Sequence, residues 1–265
     1  MKRFFWCLAL LAAGPPAAPM PALAACPEGF SGTTSFGVDV CAHPGIDGRD
    51  LRHAARTLEG VLDFDGDGAP DNQRIVDRLI AQRAAFVVVS SDRQERRFAR
   101  NRGNDSFTIV FDDEMERGGD GFDPTVEEAL HLVTQFGYAE VYPDDFAERP
   151  GSRIADLMDV ARGGRFERVP RRYPDDAVYS YDDRSCDYAC QVTEFTYWAV
   201  TSLRGQQEMP GRAKEIEDEW KLNTKLKIES QFFELAEFLS APEFGLFPLS
   251  VTQPLCRAAV IRSRV

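Results

Sequence analysis

The chain has 265 residues, 28% of them charged, and a formal net charge of −12. That charge makes nucleic acid and anionic lipid surfaces poor partners and divalent cations good ones. The length suits one domain with a sizeable core, and no segment approaches the ~20 apolar residues of a spanning helix.

Met1-Lys2-Arg3, the apolar run Phe4 to Ala13 and the small-x-small Ala22-Leu23-Ala24 read as a secretory signal peptide over residues 1–25. The mature protein is therefore expected in the periplasm or outside the cell, and loss of Lys2 and Arg3 takes its charge to −14. Leu23-Ala24-Ala25-Cys26 also resembles a bacterial lipobox, so a lipid anchor at Cys26 is the alternative to simple export. Cys26, Cys41, Cys186, Cys190 and Cys256 form an odd set, which leaves one free, lipidated or paired between chains. Cys26 with Cys41 would close a Gly-rich loop, and Cys186 with Cys190 would tie the start of a helix. Lipidation of Cys26 would instead leave four to pair among themselves.

Residues 26–48 read as a loop-rich lead-in. Residues 49–84 read as helix, acidic loop and helix, with apolar residues at helical spacing from Asp50 to Leu62 and again from Arg74 to Ala84. Between them Asp63, Asp65, Asp67 and Asp71 occupy positions one, three, five and nine of an EF-hand-type loop, with Gly68 at six. That pattern points to calcium, although Arg74 stands where a bidentate Glu would close the loop. The plain alternative is an acidic turn that needs no ion.

Residues 85–255 are expected to form the main domain and 256–265 a tail. Ala85 to Val89 is a continuous apolar run and Ser106 to Phe111 alternates, so both read as strands, joined by a polar, Arg-rich segment. Gly118-Gly119-Asp120-Gly121 supplies a loop, after which Asp123 or Thr125 can cap a helix, Pro124 suits its first turn and Gly137 marks its end. On that helix Val126, Ala129, Leu130, Leu132, Val133 and Phe136 share the apolar face. Glu127, Glu128, His131, Thr134 and Gln135 share the opposite arc.

Glu127-Glu128-x-x-His131 is one residue from His-Glu-x-x-His, in which two ligands at i and i+4 bind zinc and the Glu acts as base for a metal-bound water. Glu127 takes the place of the first ligand, and a carboxylate is an accepted zinc donor. The ordinary reading is a solvated face with a Thr125-x-x-Glu128 capping box and an i,i+4 pair. From Tyr188 to Leu203 the sole charged residue is Glu194, which in so apolar a helix needs a partner: a metal, an Arg or a Tyr. Tyr179 and Tyr181, in the turn-rich segment before that helix, are candidate donors to a developing oxyanion or else core residues. Farther on, Arg212 to Lys227 reads as a solvated helix and Phe232 to Phe247 as a C-terminal helix with its packing. Neither His43 nor His53 completes an extended zinc motif, and no serine elbow or phosphate-binding Gly-rich loop is present.

Glu127-Glu128-x-x-His131, Gly163-Gly164-x-Phe166 and Cys186-Asp187-Tyr188-x-Cys190-x-Val192-Thr193-Glu194-Phe195-x-Tyr197-Trp198 together resemble a secreted family without an assigned activity, zincin-like, of the gluzincin type, around its active-site helix. The resemblance implies an α+β fold from about Asp50 to Leu255, mainly helical, with a small sheet ahead of that helix. It implies zinc on Glu127, His131 and Glu194, Glu128 as general base, Tyr181 as oxyanion donor, and a peptide or other amide as substrate. The competing class is a non-catalytic calcium-binding extracellular protein whose ion site is Asp63, Asp65, Asp67 and Asp71.

Overall fold

The computed structural model describes residues 25–116 and 122–246. Residues 1–24 of the expected signal peptide, the Gly118 to Gly121 loop, the tail and Cys256 lie outside them.

The expected loop-rich lead-in is instead a β-hairpin. Strand β1 (Ser31–Ser35) turns through Phe36 and Gly37 into β2 (Val38–Ala42). Both turn residues have positive φ, 49° and 87°, as a two-residue type I′ hairpin requires. With β3 (Ala85–Val89) and β4 (Phe107–Phe111) they form one sheet in the order β1-β2-β3-β4. The hairpin is antiparallel, and the β2–β3 and β3–β4 pairs are parallel.

Side chains alternate across this sheet. Val38, Val40, Ala42, Phe86, Val88 and Val110 face the main core, against α1 (Gly48–Leu62), α2 (Gln73–Ala81) and α4 (Pro124–Val133). Cys41, Ala85, Val87 and Val89 face a smaller core closed by Phe98. Phe98 belongs to α3 (Asp92–Arg102), a helix where a polar connection was expected. The β2–β3 and β3–β4 crossovers thus run on opposite faces while the strands advance in one direction. They have opposite hands, and one departs from the usual right-handed rule.

After α4 the backbone widens into a single π turn, Thr134–Tyr138, and continues as α5 (Ala139–Val141), so Gly137 does not end the helix. Then follow α6 (Pro143–Phe146), α7 (Arg153–Ala161) and α8 (Tyr188–Leu203). The expected solvated helix from Arg212 reduces to one turn, α9 (Arg212–Glu215), with Arg212 itself buried. Lys225–Gln231 forms α10, and within the expected Phe232 to Phe247 segment the helix is α11 (Phe233–Leu239). The fold is α+β, helices around a small mixed sheet. Its centre is α8, which buries Phe195, Tyr197, Ala199 and Val200 almost completely, each large side chain contributing about 1.5–3 kcal/mol.

Two disulfides, Cys26–Cys41 and Cys186–Cys190, suggest an oxidising environment. The first engages the Cys26 sulfur, as the pairing read with simple export has it. Among the described residues no helix is long and apolar enough to cross a membrane.

Candidate metal centre

The first turn of α4 is fixed from outside. Asp123 is the N-cap, accepting from the Thr125 N–H at 3.0 Å, and its other oxygen lies 2.6 Å from His53 Nε2 on α1. Thr125 is therefore not the cap, and the expected capping box with Glu128 is absent. Instead Thr125 is fully buried. Thr108 of β4 donates to the Glu128 carbonyl at 2.8 Å and ties the helix to the sheet edge.

The polar arc of α4 turns toward α8 rather than toward water. His131 is 7% exposed, Thr134 is equally buried, and Glu127 and Glu128 are part-buried. Glu194 reaches in from α8, and ligand atoms of Glu127, His131 and Glu194 all lie within 4.8 Å of one another. His131 Nε2 is 3.7 Å from Glu194 Oε2, and Nδ1 is 3.8 Å from Glu128 Oε2. Both gaps exceed a hydrogen bond. Nε2 is buried without any hydrogen-bond partner. An orphaned imidazole nitrogen with two carboxylates is a donor set that could hold a metal ion, and tetrahedral ligands at ~2.1 Å would stand about 3.4 Å apart.

Electrostatics point the same way. Burial pushes the Glu127 carboxyl up to about 7, helped by Glu194 and Glu128 and opposed by His131. Burial raises Glu194 as well, against the pull of His131. For His131 burial favours the neutral ring, yet Glu128, Glu194 and Glu127 outweigh it and raise the ring to about 9. Negative charge is in excess here, and a cation would relieve it.

The tyrosines divide. Tyr181, half-buried, lies near the Glu194 carboxylate and favours its ionised form without reaching hydrogen-bond geometry. Tyr179 is fully buried and donates to the Gln191 carbonyl at 2.9 Å, which makes it a core residue and not an oxyanion donor. One neighbour escaped the sequence reading. Glu148, raised by burial, takes a hydrogen bond from Thr193, which itself accepts from Gln135 at 3.1 Å, and lies close enough to feel His131. It sits in an irregular stretch with no periodicity; the visible signal was Thr193, adjacent to Glu194.

A cleft of about 430 Å³ is walled by Phe122 and Trp198, with Asp182 and Glu219 among its acids. Tyr197 joins it to the centre, its ring 5.9 Å from His131 and 6.1 Å from Phe122. The buried Trp198 indole N–H faces Glu219 and favours its ionised form without reaching hydrogen-bond geometry.

At the acidic loop Asp63, Asp65 and Asp71 converge within the same 4.8 Å limit. Asp67 is not in that group; its Oδ1 accepts from the Ala69 N–H at 2.9 Å. Backbone N–H groups already occupy part of the others: Gly68 on Asp63 at 2.9 Å and Phe64 on Asp71 at 2.7 Å. Arg74, in the closing position, lies over the Tyr142 ring at 4.9 Å.

No family model, curated protein or solved structure matches the chain.

Proposed function

We propose that the protein is an exported metal-dependent hydrolase of the zincin-like kind, cleaving a peptide or other amide bond with Glu127, His131 and Glu194 as zinc ligands. The observation that supports this most is the buried, unpartnered His131 Nε2 with two part-buried glutamates within 4.8 Å. Bound zinc would supply a Lewis acid for the carbonyl and lower the pKa of its water toward neutrality. Glu128, with a side chain 32% exposed, is the carboxylate open enough to take a proton from the attacking water. Tyr181, beside Glu194, is the hydroxyl nearest to hand for outer-shell support of that carboxylate. The cleft between Phe122 and Trp198 would receive the substrate chain.

Elemental analysis of the purified protein tests this. Wild type should carry stoichiometric zinc and His131→Ala should carry none, with Glu194→Gln strongly depleted; equal zinc in all three would sink the centre. Hydrolysis assays with Glu128→Gln, expected to retain zinc and lose activity by about 10²–10⁴-fold, separate the base from the ligands.

The convergence of Asp63, Asp65 and Asp71 supports a second reading, a calcium-binding extracellular protein without catalysis. Calcium there would clamp the end of α1 to the start of α2. It should raise the unfolding midpoint over that in chelator, and an Asp63→Asn variant should show no such rise.

A further inference from the structure

A cleft of about 700 Å³ opens beside α3, which packs on the opposite face of the sheet from α4. It lies past the C-terminal ends of two parallel strands, where open α/β sheets bind ligands. His43 follows β2, and Ser91 and Gln94 follow β3. The wall is a stripe of Arg93, Arg96, Arg97 and Arg100, spaced to share one face of α3. In a chain of net charge −12 such a stripe should find acids easily, yet among the described residues only Arg96 meets one, Asp92 at 3.7 Å.

Two observations from other segments converge on the same cleft. His43 lines it as a part-buried side chain, its ring held edge-on by Phe30 at 5.3 Å. The chain before β1 runs close beneath Arg97: Gly29, at φ 81°, would bring a Cβ within 2.9 Å of the guanidinium. The Cys26–Cys41 disulfide fastens that turn to β2. The arginines are thus gathered over a fixed floor.

We propose that this cleft binds a soluble ligand carrying two or more phosphate-type oxyanions. Guanidinium forks match such oxygens bidentately. The volume is that of a small-molecule pocket. The acidic remainder of the surface repels extended polyanions, which favours a compact ligand over nucleic acid or membrane.

Inorganic pyrophosphate is the probe, titrated at physiological salt into the mature protein and into Arg93→Gln/Arg97→Gln, with circular dichroism confirming that both are folded. Saturable binding is expected for wild type, with half-saturation about tenfold higher in the double variant and orthophosphate binding more weakly than pyrophosphate. Equal binding by both proteins, or no saturable binding by wild type, overturns the proposal. So does arginine-dependent attachment to anionic phospholipid vesicles or to RNA in the absence of pyrophosphate binding.

Discussion

At His131 the cost of burying a cation is outweighed by three carboxylates, and at Glu127 the cost of burying an anion is not fully offset by one imidazole. The metal-free centre consequently holds protons on the atoms a metal needs. His131 titrates at about 9 and Glu127 at about 7, each above its ordinary value, so both bind protons more tightly than exposed groups do. Metal must displace them. At pH 7 a ring with a pKa of about 9 imposes a penalty of about 100-fold on apparent zinc affinity. Affinity is therefore expected to rise as pH climbs through 7 and on to 9, and to fall on acidification. Calorimetry in two buffers of different ionisation enthalpy measures this directly: protons should appear in solution as zinc binds, and a pH-independent constant without proton release would rule it out. Spacing alone made Glu127, Glu128 and His131 readable as a set, and the lone charge in α8 made Glu194 readable as their partner. What spacing could not give was burial. A helical wheel assigns polar residues to water, whereas here the polar arc of α4 packs on α8, a tertiary contact between segments about 60 residues apart.

The π turn that follows α4 packs against the neighbouring helix α2. Such widened turns are frequent at functional sites. Gly137 sits within it because α2 approaches closely: a Cβ there would come within 2.6 Å of Ile75 Cγ2 and also meet Leu79. Gly137→Ala is expected to destabilise the protein by about 1–3 kcal/mol through overpacking, despite alanine's better helix propensity. Ile75→Ala alone leaves a cavity, and the double variant should lose less than the sum of the two, which urea unfolding of all four proteins would read as a coupling energy. Strict additivity would mean that the two do not touch. The same glycine shows where element boundaries were hard to read, since a glycine needed for close approach looks like one that ends a helix. Strand β4 and the helices α1, α2 and α4 were legible from periodicity, and β3 and α8 from their continuous apolar character. By contrast α3 has Phe98 as its one fully buried apolar residue, and only its end signals announce it: Ser91, early acids, late arginines and Gly103 in the left-handed region. The β1–β2 hairpin hid for a related reason, because its turn is Phe-Gly rather than the usual Asn-Gly and β1 is mostly Ser, Thr and Gly.

Across the whole molecule, one covalent bond joins the start of the described chain to the sheet. Cys26 and Cys41 are 15 residues apart, and Cys41 is fully buried in the smaller core beside Val87 and Phe98. Nearby, the Ala25 N–H donates to Asp39, whose carboxylate also pairs with the buried Arg102 of α3 at 3.1 Å. The disulfide therefore closes a face that carries little apolar area of its own, whereas the main core has α1, α2, α4 and α8 to hold it. A loop of that length constrains the unfolded chain by about 3 kcal/mol, against about 2 kcal/mol for the four-residue Cys186–Cys190 loop. Replacing Cys26 and Cys41 together with Ser is expected to cost about 3 kcal/mol or more, since two hydroxyls then enter the place of buried sulfur. Native-state hydrogen exchange should find the loss concentrated in β1, β2 and α3 while the amides of α4 and α8 keep their protection relative to the new global stability. Zinc content in the same variant should stay at the wild-type level, because the proposed ligands all stand on the other face of the sheet. Loss of zinc together with the disulfide would mean that the two faces unfold as one cooperative unit, and would remove the basis for treating the arginine cleft and the glutamate centre as independent sites.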